Sequence, residues 1–233
     1  MNPVNLSHKD TDSHWISVSD LMAGLMMVFL CIAIAMMYSV SVERDKVRKM
    51  AVSYRDNQLA IYHSLVKEFD KDLSAWGATI NRDTLTITFQ TPDAMFATGD
   101  TQLSQPYQEI LSEFFPRYLR VLTPFNASIE EIRLEGHTSS RWQQSNDASV
   151  AYFNNLALSQ ERTLSVLQFV SALPSVTEHS RWITKHIAAV GYSSSRPVLD
   201  EYGQEAVEQS KRVAFRVITN SEVKIKNILE ETL

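Results

Sequence analysis

The segment "HWISVSDLMAGLMMVFLCIAIAMMYSV", residues 14 to 40, decides the broad class of this protein. From Leu21 to Val42 it carries no charge, and a bilayer span needs roughly 20 apolar residues at about 1.5 Å of rise each. Trp15 and Tyr38 bracket the run. Helical rise sets them about 34 Å apart, near the two levels where amphipathic rings settle in a bilayer. A cleaved signal peptide fits poorly. The apolar region is too long, Lys9 is the only basic residue ahead of it, and no small-x-small site precedes the charges that begin at Glu43. The segment reads as an uncleaved signal anchor over residues 15–40, behind an N-terminal tail of residues 1–14.

Asp20 stands at the edge of this run. A charged Asp at the centre of a membrane helix costs about 2.5–3.5 kcal/mol, so such residues face a partner or water and do work there. Desolvation disfavours the ionised carboxylate and so favours uptake and release of a proton. Ala23, Gly24 and Met27 share its helical face, and small residues let neighbouring helices approach closely. A structural reading competes with the ion-carrying one: Ser17, Ser19 or Asp20 caps the start of the helix, where a carboxylate also suits the positive dipole end. The methionines of the span (Met22, Met26, Met27, Met36, Met37) read as packing.

Beyond the span, the mild net charge of -5 advertises no nucleic-acid partner. The single cysteine, Cys31, excludes an intrachain disulfide and leaves the redox compartment open. Residues 41–79 read as a helical linker. Met50, Tyr54, Ile61, Leu65, Phe69 and Leu73 form one stripe across a helix predicted from Val42 to Trp76. Its polar first half is a stalk, a short dimeric coiled coil whose seam Gln58 interrupts, or part of a helix packed on the following domain.

From residue 80 the periodicity alternates. "TLTITF" (84–89), "SIEEIRLEG" (128–136), "TKHIAAVGY" (184–192) and "RVAFRVIT" (212–219) read as strands. "PYQEILSEFFPRYLRVL" (106–122) reads as a helix that Pro116 should interrupt or kink. A second helix, near Asn155 to Leu173, should bury Leu158, Leu164, Leu167 and Val170. The spacing predicts an α+β domain over residues 80–220 with helices packed on a mixed sheet, followed by a tail of residues 221–233.

Five ordered motifs carry a resemblance: "MFATGDTQLS", "LEGHTSS", "NLALSQERTLSVLQFV", "AAVGYSSSRPV" and "SKRVAFRV". Together they resemble the peptidoglycan-binding OmpA/MotB C-terminal domain across roughly residues 84 to 219. The span, with its W-x-x-x-x-D-L-M-A-G pattern, is similar to that of MotB-type stator subunits, and most of all to those of Zorya anti-phage systems. The resemblance implies an ion-driven stator subunit of the inner membrane, not an enzyme, with Asp20 as the ion-relay carboxylate. It implies a cytoplasmic N-terminus and a periplasmic domain, whereas Arg44, Lys46, Arg48 and Lys49 behind the span would by themselves place that domain in the cytoplasm. One helix cannot build a channel. The implied partners are a multi-span MotA/ZorA-like subunit, a second copy of the chain, and peptidoglycan.

For the wall site, the resemblance implies that Arg162 pairs a carboxylate of the diaminopimelate stem peptide, with Asn155 and Leu158 matching the rest of its motif. A planar guanidinium suits that bidentate task. Gly136, His137, Thr138 and Ser139 shape the pocket floor, and Arg212 reaches it from the last strand. The family's acid, which pairs the peptide ammonium, is replaced here by Ser139, and Asp147 in the following loop is a candidate substitute. His137 lacks the nucleophile and orienting acid of a catalytic base. The six histidines show no metal-ligand spacing, and no cofactor is implied. Lys211 and Arg216 read as a solvated strand edge. A passive wall tether and a TolR/ExbD-like energiser are the rival readings.

Overall fold

The computed structural model describes residues 9–90, 95–97, 99–142 and 147–231, and the chain divides into two compact units between Val52 and Ser53. The first unit is helical, formed by the N-terminal part of α1 (Lys9–Leu73). It contains a stretch of mean hydropathy 2.4, exposed among the described residues, that by length and composition can cross a membrane. Because α1 is already helical at Lys9, Ser17, Ser19 and Asp20 lie inside the helix. Asp20 sits about three turns from its start. The capping alternative therefore fails: a residue this deep has its neighbours' N–H groups bonded within the helix.

In the second unit the last turns of α1 carry core. Ile61, Leu65 and Phe69, spaced four apart, are fully buried. From here the helix packs on its domain rather than standing as a free stalk. Gln58, whose polarity interrupts the apolar seam, donates to the carbonyls of Arg82 (3.1 Å) and Asp83. Arg117 completes the attachment. It lies 2.8 Å from Glu68, Asp72 and Glu113, with its guanidinium 5.1 Å over the Phe69 ring and 5.8 Å over Trp76. A planar cation satisfied at its edge by carboxylates and on its face by aromatics is well compensated at partial burial.

The remaining elements are β1 (Ala78–Asn81), β2 (Thr86–Phe89), α2 (Gln105–Leu122), β3 (Ile129–His137), α3 (Ala148–Ser171), α4 (Ser180–His186), β4 (Ile187–Gly191), α5 (Val207–Ser210), β5 (Arg212–Thr219) and α6 (Asn220–Glu231). The five strands form one mixed sheet in the order β1-β2-β5-β3-β4, with β3 and β4 parallel and every other pair antiparallel. This is the expected α+β architecture. Two rows cross it on one face: Ile80, Ile87, Phe215, Leu134 and Ala189, then Ala78, Phe89, Val213, Gly136 and Gly191. The Phe114 ring of α2 packs 5.2 Å from Phe89 and 5.1 Å from Phe215. Where the second row narrows to two glycines, α3 takes over.

Several sequence expectations change. Residues 184–186, expected to open strand 184–192, instead end α4, and β4 begins at Ile187. β1 was not expected; it pairs β2 through a turn in which Asn81 Oδ1 accepts from the backbone N–H groups of Asp83 and Thr84. Leu85, expected inside strand 84–89, has φ 49°, so it closes the turn and β2 begins after it. Pro116 lies within an uninterrupted α2. The acceptor left without its bond belongs to exposed Ser112, while buried Phe114, Phe115, Tyr118 and Leu119 hold the helix on the sheet. α3 starts at Ala148 rather than near Asn155, because Asp147 caps it by accepting from the N–H groups of Ser149 (2.8 Å) and Val150 (3.3 Å).

Candidate functional site

The face that α3 turns to the sheet keeps only part of the expected stripe. Val170 is buried and Leu167 packs against the core, but Leu164 is exposed and Leu158 half-buried, and the other buried positions are Ala151, Asn155, Ser159, Thr163 and Val166. The glycines explain this. A Cβ on Gly136 would fall 2.6 Å from the Ser159 carbonyl oxygen, and one on Gly191 would fall 2.5 Å from the Gln160 nitrogen. Helix and sheet approach too closely for leucine. Gln160 then ties the two together, with its Nε2 donating to Ala189 O (3.2 Å) and its Oε1 accepting from Gly191 N (2.8 Å). Gly191→Ala should cost about 2–3 kcal/mol by overpacking against backbone, read as a lower thermal midpoint of the full-length protein in detergent. An unchanged midpoint would mean that α3 can lift from the sheet without penalty.

At the end of this contact lies a small, shallow cleft, open to solvent and lined by Phe96, Gly136, His137, Ser159, Arg162, Arg212 and Val213. Of the residues named from the sequence, Gly136, His137, Arg162 and Arg212 line it. Thr138 and Ser139 follow directly and are buried. Asn155 is buried behind them, where its Nδ2 donates to the carbonyls of Ser139 (3.1 Å) and Arg141 (3.2 Å). It shapes the loop rather than facing the cleft. Leu158 is half-buried on α3 and is not among the cleft residues.

Arg162 is more engaged than a waiting ligand clamp. Its Nε donates to Asp100 O (2.9 Å), its Nη2 to Ala97 O (3.2 Å), and its plane lies 4.8 Å over the Phe96 ring. It thereby holds the segment that Phe96 and Leu103 close as a bridge. Asp100 stays below the ordinary carboxylate range through the backbone N–H groups of Gln102 and Thr101, with the Arg162 charge adding to them. Arg212 is similarly tied, from Nη1 to Ser210 O and from Nη2 to Arg196 O, both at 3.0 Å.

His137 stacks on Tyr192 at 5.2 Å, and Arg196 covers that ring at 3.7 Å. Its Nε2 lies 3.4 Å from Glu135 Oε2, while Nδ1 has no hydrogen-bond partner among the described residues. Burial holds His137 below the ordinary histidine range, Arg212 and Arg196 push the same way, and Glu135 opposes them. Burial alone would raise Glu135, but His137, Arg196 and Arg216 outweigh it and keep it a carboxylate. The pair is therefore a neutral imidazole donating to an anion. This arrangement sets the floor of the cleft.

Asp147, the candidate substitute for the acid at Ser139, caps α3 through its Oδ1. A different carboxylate stands at this loop. Glu205 Oε1 accepts from Ser140 N at 2.9 Å, and Oε2 accepts a short bond from Ser140 Oγ. Sequence reasoning missed Glu205, because a lone glutamate in a polar connection gives no periodic or motif signal. It also missed Phe96 and Ser159, although both sit in quoted motifs. The basic run around β5 is paired, Lys211 with Glu208 at 2.8 Å and Arg216 with Glu222 at 2.6 Å.

A five-stranded mixed sheet carrying its helices in this way, behind a helix fit to cross a membrane, has the MotB/OmpA-like fold. A MotB-like protein from Desulfovibrio vulgaris shares it at a TM-score of 0.51 and 18% identity, over 73% of this chain and 93% of that one. The cell wall anchor of the type VI secretion system from Pseudomonas aeruginosa aligns at a TM-score of 0.46 and 20% identity, over 67% and 97%. No protein-family model matches the chain. The Zorya protein ZorB of Escherichia coli strain Crooks is 48% identical over 227 residues, 97% of each chain. The chain belongs to the ZorB family.

Proposed function

We propose that this chain is an ion-driven stator subunit of a Zorya-type anti-phage complex, spanning the inner membrane once and held to peptidoglycan by its C-terminal domain. In this reading residues 1–14 are cytoplasmic, 15–40 cross the bilayer, 41–79 link, 80–220 bind the wall and 221–233 form a tail. The protein is an anchor and ion relay rather than an enzyme. One observation carries the proposal. The apolar part of α1 is exposed among the described residues, yet it bears Asp20 within the helix. A carboxylate at that depth needs partner groups or water that one helix cannot supply. A multi-span MotA/ZorA-like partner and a second copy of the chain supply them, and the proton is the ion proposed to move. Each charge crossing at 100 mV carries about 2.3 kcal/mol. The mechanical counterpart is the cleft, where Arg162 and Arg212 offer positive charge to a peptide carboxylate.

Two measurements test the proposal together. A reporter fused after Leu233 should be active only when exported, and the full-length protein in detergent should co-sediment with purified sacculi. A reporter active in the cytoplasm would overturn the topology, and no retention on sacculi would remove the anchor.

A further inference from the structure

We propose that Gln160 closes the outer edge of β4 and so keeps the β4 strand of a second copy of this chain from pairing with it. The inference goes beyond the anchoring reading and stands apart from whatever ligand the cleft holds.

β4 lies at one margin of the sheet, with β3 on its inner side. A strand in that position shows a row of backbone N–H and C=O groups to any strand that comes alongside, and proteins guard such rows with charge, proline, a bulge or a covering element. The sequence of β4, IAAVG, supplies neither charge nor proline. Its pairing with β3 runs in unbroken register from Ile187 to Gly191, so there is no bulge either. Along a strand, successive residues aim their backbone groups to alternate sides. Tyr192 N donates inward to Gly136 O at 2.8 Å, which leaves Ile187, Ala189 and Gly191 facing outward.

Gln160 meets this outward row. Its Nε2 donates to Ala189 O (3.2 Å) and its Oε1 accepts from Gly191 N (2.8 Å). A carboxamide carries a donor and an acceptor in one plane, as a peptide group does, and here it stands where one residue of a sixth strand would stand. The close approach of α3 puts it there. A Cβ on Gly191 would meet the Gln160 backbone nitrogen at 2.5 Å, so a short side chain reaches the edge.

The excluded occupant follows from symmetry. The outward residues are centred on Ala189. Two β4 strands run antiparallel about a two-fold axis would therefore meet in register, Ala189 against Ala189 and Ile187 against Gly191 of the second copy. In an antiparallel ladder such facing residues exchange both of their hydrogen bonds, and a self-complementary patch of this kind is what two-fold assemblies use. Without Gln160 the edge is complementary to itself.

The test is amide exchange at Ala189 and Gly191, followed by NMR on full-length protein in detergent at rising protein concentration. In wild type the Gly191 N–H should be protected and the outward Ala189 N–H should exchange freely at every concentration. Gln160→Ala should slow exchange at Ala189 about tenfold or more as concentration rises, the scale of one hydrogen bond gained. Adding Ala189→Pro removes the central outward donor without touching the bonds to β3, and proline is tolerated on an edge. In that double variant Gly191 should exchange fast at all concentrations. If Gln160 only ties α3 to the sheet, Gln160→Ala will speed exchange at Gly191 and leave Ala189 fast at every concentration, which overturns the inference. Protection of Gly191 that survives in the double variant would come from something other than edge pairing and would overturn it as well.

Discussion

Asp20→Asn should leave membrane insertion and partner assembly intact while abolishing defence in the cell. Asn is nearly isosteric with Asp and accepts similar hydrogen bonds, but it cannot cycle between charged and neutral forms. The comparison is sharpened by the position of Asp20 well inside α1. There is no cap for it to supply, so the loss cannot be charged to fraying of the helix start. Asp20→Glu should retain part of the activity, because an ionisable carboxyl remains and only its reach changes. Phage challenge of cells expressing each variant at wild-type level reads the result. A fully active Asp20→Asn protein would end the ion-relay reading and leave a passive tether.

Arg162→Ala should weaken retention on sacculi by about 2–3 kcal/mol, roughly 30- to 150-fold. Two losses combine. The cleft gives up one of its two cations, and the segment from Phe96 to Leu103 gives up a stacked plane and two donors to its carbonyls. Arg162→Lys separates them. It keeps a point charge but loses the fork and the planar stack, so it should fall between wild type and Ala. The fold should survive both changes, since Arg162 lies at the cleft and outside the apolar core. Equal retention of Arg162→Ala and wild type would mean that a site with serine at position 139 has lost its ligand.

What the sequence disclosed and what it hid divide along physical lines. The apolar run needed only length and lack of charge to be read. Strands β3 and β5 showed because buried apolar positions recur along them, and β4 because residues 187–190 form an uncharged apolar run. The α3 face was misread because the residues that touch the sheet are small and polar. Their reason for being so, two glycines on different strands, is visible only once β3 and β4 lie side by side. β1 and the onset of β2 were hidden by Leu85, an apolar residue in a backbone conformation it rarely adopts. At the cleft, Arg162 and His137 stood in legible motifs. Glu205, which braces the loop after His137, did not, because its partner Ser140 is 65 residues away in the chain.

The narrowing of the second row across the sheet, from Phe89 and Val213 to Gly136 and Gly191, also acts as a register key for assembly. Side chains alternate between faces, so sliding β3 by a single residue would bring Glu135 or His137 under Ser159 where only hydrogen now fits. No rotamer of either residue escapes a backbone carbonyl at that range. A sheet misaligned by one residue therefore cannot close under α3.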